Sequence, residues 1–480
     1  MPQRSRGRSS IPIGRSSTFK PRLFTWTGKG GFSFLLLLAL LLIFTLAGGA
    51  SRGDVLGQVI VRLFALLAIG GWALLGAKPN LRRYRAPALI LAASGILIAL
   101  QLMPLPPAIW SALPGRALFR DIGKAADMAD LWRPMALVPD AARNALMSLL
   151  VPVATLLGVS ALSERHVTWL MPVLVALSLL SALTALVQVT GGGVRSPFVN
   201  DNLGLPSGLF ANRNHQALFL SVGMLVAIAW GFSGERVERG RRWAAMGVVP
   251  FLMLMVLATG SRSGILLGLL ALILGGAIAR DGIRRAARRW PRRAFPIMAG
   301  VGVLVLGGLV VLSIASHRAL SIDRLFALGT EEDMRTLALP TLRGLIAQFF
   351  PFGAGFGAFE TMFKTVEPYD LLRYTYLNHA HDDYLELLID GGLPGALLLG
   401  AALVWLARAA WRAVRLERAD MRARTGAAVL FLILVASVTD YPARTPLIMA
   451  IAVVAACWLS APPAEQAPMV AALRSSDEDL

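Results

Sequence analysis

The sequence is short of charge, of cysteine and of histidine. Of its 480 residues only 16% are charged, where a soluble protein keeps about a quarter of its residues charged. Too few charges remain to coat a globular surface of this size, so a soluble protein is excluded. The single cysteine, Cys457, lies in an apolar run near the C-terminus. No intrachain disulfide can form, and the redox compartment cannot be read from thiols. The five histidines are His166, His215, His317, His379 and His381, few enough that each is worth tracing. No repeat of fixed period occurs, and compositional bias is confined to an Arg/Ser-rich start and an Ala/Pro-rich, acidic tail.

What is abundant is apolar length. Apolar residues make up 56% of the chain and the mean hydropathy is +0.63. A hydrocarbon core about 30 Å thick takes roughly 20 apolar residues per helix. About twelve segments qualify, near 31–50, 55–77, 86–103, 145–163, 167–190, 215–232, 244–260, 264–279, 295–315, 393–408, 425–440 and 445–461. The expected fold class is therefore all-α, a polytopic membrane protein with one larger extracytoplasmic loop at 316–392. Residues 1–30 read as a basic cytoplasmic arm, 31–461 as the membrane domain and 462–480 as a cytoplasmic tail. The Ala47-Gly48-Gly49-Ala50 sequence ending the first span imitates a signal-peptidase site, but the long basic arm and the many later spans favour a retained anchor.

The formal charge of +19 would suggest nucleic acid in a soluble chain. Here its distribution is a topology signal. With the N-terminus inside, the inner segments and adjoining span ends hold 30 of the 47 Lys and Arg and 10 of the 28 Asp and Glu. The outer side is left nearly neutral. Runs such as Arg284 to Arg289 and the Arg412, Arg415, Arg418, Arg422 series fall inside, so the expectation is N-in and C-in. The outer gaps are 104–144, 191–214, 316–392 and the short Asp440–Arg444 stretch. The largest is too small for an ordinary catalytic domain, so chemistry must be shared between loops and helix ends.

Two outer sites place an arginine where a helix starts back into the membrane. In Asn212-Arg213-Asn214-His215 either Asn212 or Asn214 can cap the sixth span, and in Ser261-Arg262-Ser263 either serine can cap the eighth. A helix N-terminus carries partial positive charge and free N–H groups, and a guanidinium forks onto two oxygens. Together they suit a phosphate, and two such sites suit a diphosphate. Arg262 sits in a tight turn between apolar runs without a nearby acidic residue in sequence. Arg62, inside the second span, raises the same question without a motif around it.

A third outer site runs from Asn378 through His379, His381, Asp382, Asp383, Glu386 and Asp390 to Gly391-Gly392-Leu393-Pro394-Gly395. Residues 382–390 have helical spacing, with Asp383, Glu386 and Asp390 on one face and Leu385, Leu388 and Ile389 on another. That pattern describes a short helix lying at the membrane surface, broken by the glycines before the next span. Two His and two Asp are also metal-ligand types, but no third ligand cluster joins them and either Asp serves as an ordinary N-cap.

Taken together these residues resemble the O-antigen ligase family, polytopic inner-membrane glycosyltransferases. The family's His, polar residue, nine others, Gly-x-x-Gly pattern is met by His381, Asp382, Gly392 and Gly395, and its Arg-x-x-x-Leu element by Arg262 and Leu266. The stretches Asn212–His215, Phe350–Gly357, Asp440-Tyr441-Pro442 with Arg444, and Trp132-Arg133-Pro134 with Pro139 also resemble family positions, over about 130–450. Ligases usually carry Asn, Ser or Gln after the motif histidine. Asp382 departs from that and leaves the acceptor open, because the superfamily also holds O-antigen and exopolysaccharide polymerases and protein O-oligosaccharyltransferases.

The resemblance implies transfer of a glycan from undecaprenyl diphosphate to lipid A-core or another saccharide acceptor, at the periplasmic face of a bacterial inner membrane. No cofactor, metal or nucleic acid is expected. On this reading His381 is the general base and Arg213 and Arg262 hold the diphosphate. Asn212, His215, His379, Asp382, Asp383 and Arg335 support them. Arg343 and Arg373, and more weakly Lys364 and Tyr369, are further loop residues that could touch donor or acceptor. A transporter is the rival from another class, since twelve N-in, C-in spans is a common transporter plan. It would place ionisable residues or broken helices at the bilayer midplane, whereas the polar residues here gather at outer helix ends.

Overall fold

The computed structural model describes residues 28–190, 198, 205–233, 239–288, 300, 330–372, 377–415 and 421–460. The expected ninth span at 295–315, His317, Arg373, most of the basic arm and the C-terminal tail lie outside the described residues. So does the side chain of Arg335.

The described chain is nearly all helix. In order come α1 (Lys29–Ala47), α2 (Leu56–Leu75), α3 (Arg85–Gln101), α4 (Pro107–Ala112), α5 (Ala117–Ala125), α6 (Pro139–Ser148), α7 (Leu150–Ser160) and α8 (Glu164–Val189). Then follow α9 (Arg213–Phe232), α10 (Arg239–Ala258), α11 (Arg262–Arg288), α12 (Thr330–Phe349), α13 (Phe359–Lys364), α14 (Asp383–Arg415), α15 (Met421–Ala436) and α16 (Pro446–Ser460). The only ladder among the described residues is a two-residue antiparallel pair, Pro104–Leu105 with Arg133–Pro134.

Among the described residues nine helical segments are long and apolar enough to cross a membrane, consistent with a polytopic protein. They include Pro139–Ser160, where α6 and α7 run on as one span. That span starts at Pro139 rather than at the expected 145, because a proline at the first helical position has no N–H to leave unpaired. The expected eleventh span ends at Ala436, not at 440, because Ser437 to Asp440 turn out of the helix. α16 has 15 residues, about 22 Å of helix.

α9 is the centre of the bundle. Beyond its first turn it is apolar apart from Ser221, and 89% of its apolar stretch is enclosed by protein, against α8, α10, α11 and α15. The outer helices are different: α2 turns Leu63, Leu66, Leu67 and Leu74 outward. A helix that is apolar all round while half of it faces outward is built for lipid. One continuous core joins α1, α2, α7 to α11, α15 and α16. A separate small core, from Leu342, Phe349, Phe359, Phe363 and Ile389 with Phe119 and Leu137 beside them, ties the 104–144 and 330–380 segments together at one end of the bundle.

The end of α1 is welded to this scaffold. The Gly48 carbonyl accepts from Leu447 N and the Gly49 carbonyl from Ala211 N. A side chain on Gly49 would collide with the Leu209 carbonyl. The two glycines thus permit a close backbone approach, a use the cleavage-site likeness gave no hint of.

α14 is two helices joined at Gly392, whose φ is +56° and ψ −148°. The break expected from Gly391-Gly392 is there, but the acidic face of the first half is not a solvated surface. Glu386 and Asp390 are fully buried. The reason lies in the Phe350–Gly357 turn, which packs directly on the kink. Ala354 N donates to the Ile389 carbonyl and Gly355 N to the Asp390 carbonyl, while Leu393 N donates to the Pro351 carbonyl. Gln101 Nε2 also reaches the Asp390 carbonyl, at 3.1 Å, and Gly357 N reaches Asp390 Oδ2 at 2.9 Å. The Ile389 and Asp390 carbonyls and Leu393 N, at the kink, thus find partners outside the helix.

Candidate functional site

Asn212 caps α9, its side-chain oxygen accepting from Asn214 N at 2.8 Å. Ser261 caps α11 and accepts from Gly264 N at 2.9 Å. The two caps are joined, because the Ser261 hydroxyl donates to Asn214 Oδ1 at 2.7 Å. Arg213 and Arg262 are the first residues of the two helices so linked. Arg213 is buried and Arg262 half-buried. The two arginine sites, some fifty residues apart in sequence, thus share one hydrogen-bonded frame at one end of the bundle.

The frame converges on Asp440, in the short link between α15 and α16. Its carboxylate is 3% exposed. It accepts from Asn212 Nδ2 at 3.0 and 3.2 Å, from Asn214 Nδ2 at 2.7 Å and from Tyr441 N at 2.9 Å. His215 Nε2 stands 3.6 Å and His381 Nδ1 3.5 Å from Asp440 Oδ1. Burial works to raise the Asp440 carboxyl, but the two imidazoles outweigh it and hold the group well below the usual carboxylate range.

Tyr441 fills the space between the histidines. Its ring centroid lies 4.3 Å from that of His379, 4.9 Å from His381 and 5.0 Å from His215. Burial, then the Asp440 charge, pushes the Tyr441 hydroxyl up, so it stays neutral. The three imidazoles are not equally placed. The side chain of His215 is 2% exposed and its Nδ1 meets Thr445 Oγ1 at 3.0 Å. That of His381 is 23% exposed, so of these two only His381 is accessible.

His381 also has a φ of +51°. Among the described residues only Asp127 shares that left-handed conformation without being glycine. Such conformations cost of order 1 kcal/mol or more and persist where surrounding contacts impose them. His381 Nδ1 faces Asp440 and Nε2 lies on the far side of the ring. A base whose second nitrogen is held by a carboxylate is the recurring arrangement for moving a hydroxyl proton.

A second ionic cluster adjoins the first through Tyr441. Arg444 meets Asp383 Oδ1 at 3.2 Å, Glu386 Oε1 at 3.1 Å and Asp390 Oδ2 at 3.9 Å. His379 Nδ1 lies 2.9 Å from Glu386 Oε1, and Ala380 N donates to Glu386 Oε2. Burial works against the Arg444 charge, but its three acidic neighbours more than offset that and raise it further. Asp383 also takes the Ser437 hydroxyl at 2.9 Å. Asp382 is the N-cap of α14, accepting from Tyr384 N and Leu385 N. Beside this cluster opens a cavity of about 760 Å³, walled in part by His379, Glu386 and Arg444, a volume in the range of small-molecule sites.

Asn212, Arg213, His215, Arg262, His379, His381, Asp382 and Asp383 all gather at this end. Asp440, Tyr441 and Glu386 hold them together; the sequence placed them among the family-like stretches and on the acidic face but not at the centre of the site. The available signal was a charged, aromatic break between two short apolar runs. The loop residues do not join the site: Arg343 is exposed, Tyr369 is 91% exposed and Lys364 pairs with Glu360. Arg133 is structural, bonding the carbonyls of Phe119 and Met128 and lying over Trp110. Among the described residues no group of three or more His, Cys, Asp or Glu is placed to hold a metal ion.

Residues 247–400 match the family model described as O-antigen ligase. The match covers roughly a third of the chain, including Arg262, His379, His381 and the Gly392 kink, but not Asn212–His215 or Asp440–Arg444. No curated protein matches the chain.

Proposed function

We propose that this chain, with its O-antigen ligase segment at the centre, moves a glycan from undecaprenyl diphosphate to an acceptor hydroxyl of the lipid A-core type. On this reading it lies in a bacterial inner membrane with about twelve spans, N-in and C-in. The site and the 316–392 loop are on the periplasmic side. The observation that carries the reading is the frame in which Asp440 binds the α9 cap Asn212 and, through Asn214, the α11 cap Ser261, and faces His381. That frame brings His381 and two guanidinium-bearing helix starts to the same end of the bundle, which supports the reading.

In the proposed reaction His381 Nε2 takes the proton of the acceptor hydroxyl as its oxygen attacks the anomeric carbon. A new C–O glycosidic bond forms and the bond from that carbon to the diphosphate oxygen breaks. The electron pair leaves with the diphosphate, whose growing charge meets Arg213, Arg262 and the N–H groups of α9 and α11. These cations do the work a divalent metal does elsewhere, so no cofactor is invoked. One displacement inverts the anomeric centre. Asp440 keeps the imidazole oriented and balances its charge once it is protonated.

The decisive experiment is reconstitution of purified protein with a lipid-linked glycan and defined acceptors, with and without chelator. Expected are transfer to a core-type saccharide, indifference to chelator and an inverted product. Retained configuration refutes the single displacement. Joining of repeat units on the carrier lipid, with no transfer to core, identifies a polymerase instead.

A further inference from the structure

Arg62 sits on α2 six residues past its start, about 9 Å down the helix, and it lines the cavity described above. Nη2 bonds only neutral groups, Asn144 Oδ1 at 2.7 Å and Gln58 Oε1 at 3.3 Å. Nε is buried and has no hydrogen-bond partner among the described residues. The other charges on the cavity wall are matched within the chain. Arg52 pairs with Asp54, Arg444 with Asp383 and Glu386, and Glu360 with Lys364.

A charge kept inside a membrane span without a counter-charge is expensive and marks a place where one arrives from elsewhere. The cavity lining is mixed: Arg62, Gln58 and Asn144 are polar, and Ile90 and Ile98 of α3 with Leu398 and Leu399 of α14 are apolar. Both helices turn further apolar side chains outward, Ile96 and Leu397 among them, so the apolar part of the lining comes from two lipid-facing helices. His379 and Arg444 form the wall toward the proposed reaction centre.

We infer that this cavity is the seat of a phosphate-bearing amphiphile, its phosphate on Arg62 and its chains along α3 and α14. We further assign that amphiphile as the glycan acceptor. The assignment as acceptor rests on the transferase reading, whereas the binding itself does not. A guanidinium forks onto two phosphate oxygens where its neutral partners give way, Arg62 has only such neutral partners, and the apolar wall favours an anion carried on a lipid over the free ion.

The test is binding of short-chain phosphatidic acid, matched phosphatidylcholine and inorganic phosphate to the purified full-length protein in neutral detergent, read by native mass spectrometry and thermal shift. Phosphatidic acid should bind, and Arg62→Gln should weaken it about tenfold or more while Arg62→Lys keeps part of the affinity. Leu398→Trp, which adds bulk at the apolar part of the lining and leaves Arg62 in place, should abolish lipid binding in a protein that still melts cooperatively. Equal binding of phosphatidic acid by wild type and Arg62→Gln overturns the site. Arg62-dependent binding of inorganic phosphate as tight as that of the lipid overturns the lipid assignment. In the transfer assay at saturating donor, Arg62→Gln should raise the KM for a phosphorylated acceptor by the factor seen in binding. An unchanged KM beside lost binding removes the acceptor role. Failure of the wild-type protein to transfer at all strikes the transferase reading and leaves the binding result intact.

Discussion

Replacing Asp440 by Asn keeps the shape of the side chain and removes its charge. Every group now facing the carboxylate is a donor or an imidazole: Asn212 Nδ2, Asn214 Nδ2, Tyr441 N, His215 and His381. An amide must turn its NH₂ toward either the asparagines or the Tyr441 N–H and the histidines. In both orientations at least one buried donor meets another donor, at about 1–3 kcal/mol for each group left unsatisfied. The His381 ring loses the acceptor that fixes it. A misplacement of about 1 Å costs roughly 10²-fold, and loss of a general base costs about 10²–10⁴-fold. Asp440→Asn should therefore lower kcat for glycan transfer by about 10²-fold or more, with both KM values within about threefold. The assay is single-turnover transfer by purified protein, with a thermal melt to show that the variant is folded. A folded Asp440→Asn variant with kcat within about threefold of wild type would refute the view that this carboxylate positions the base.

His381→Ala should abolish transfer while the protein still inserts and is recovered at normal yield, and near-normal turnover would remove the base assignment. Arg213→Ala and Arg262→Ala should each cut kcat/KM for the donor by about 10²–10³-fold, and a lysine at either position should restore only part because it keeps the charge without the fork. Gly392→Ala forces a Cβ into the Pro351 carbonyl at a φ of +56°. A loss of about 2 kcal/mol or more is expected in a denaturation midpoint, and a wild-type midpoint would mean the kink can relax. Because the Asp440 carboxyl is held below its ordinary value in the folded chain, its stabilisation is fully present above about pH 4 and is lost as pH falls through the lowered value. Asp440→Asn should melt with a shallower dependence on acid pH than wild type.

Long apolar segments made the membrane architecture legible in the sequence, because a span is written in twenty consecutive residues. The caps were legible as pairs of candidates for the same local reason, and of each pair it is the residue directly before the helix, Asn212 and Ser261, that caps it. The break at Gly391-Gly392 was visible too, but not what it meant for the acidic face. Glu386 and Asp390 look solvated on a helical projection because the groups that bury them, Arg444 and the Phe350–Gly357 turn, come from distant parts of the chain. Asp440 was visible as part of a family-like stretch, but its place at the centre of the frame was hidden for the same cause. Its partners are more than two hundred residues away at Asn212 to His215 and about sixty away at His381, and no local pattern encodes such a meeting. Arg62 is the reverse case, an anomaly plain in sequence that gained a meaning only when a cavity appeared beside it.

An aromatic ring carries a ring current, and the Tyr441 ring lies against three imidazoles at three different angles, 41°, 70° and 87°. The proton resonances of His379, His381 and His215 are therefore displaced by different amounts, whereas His166 stacks on Phe34 far along the sequence. Tyr441→Leu would draw the three displaced signals together. Scarcity of histidine, the first thing apparent in the chain, thus becomes an advantage: a proton spectrum has few imidazole signals to sort, and those nearest the proposed chemistry bear their own label.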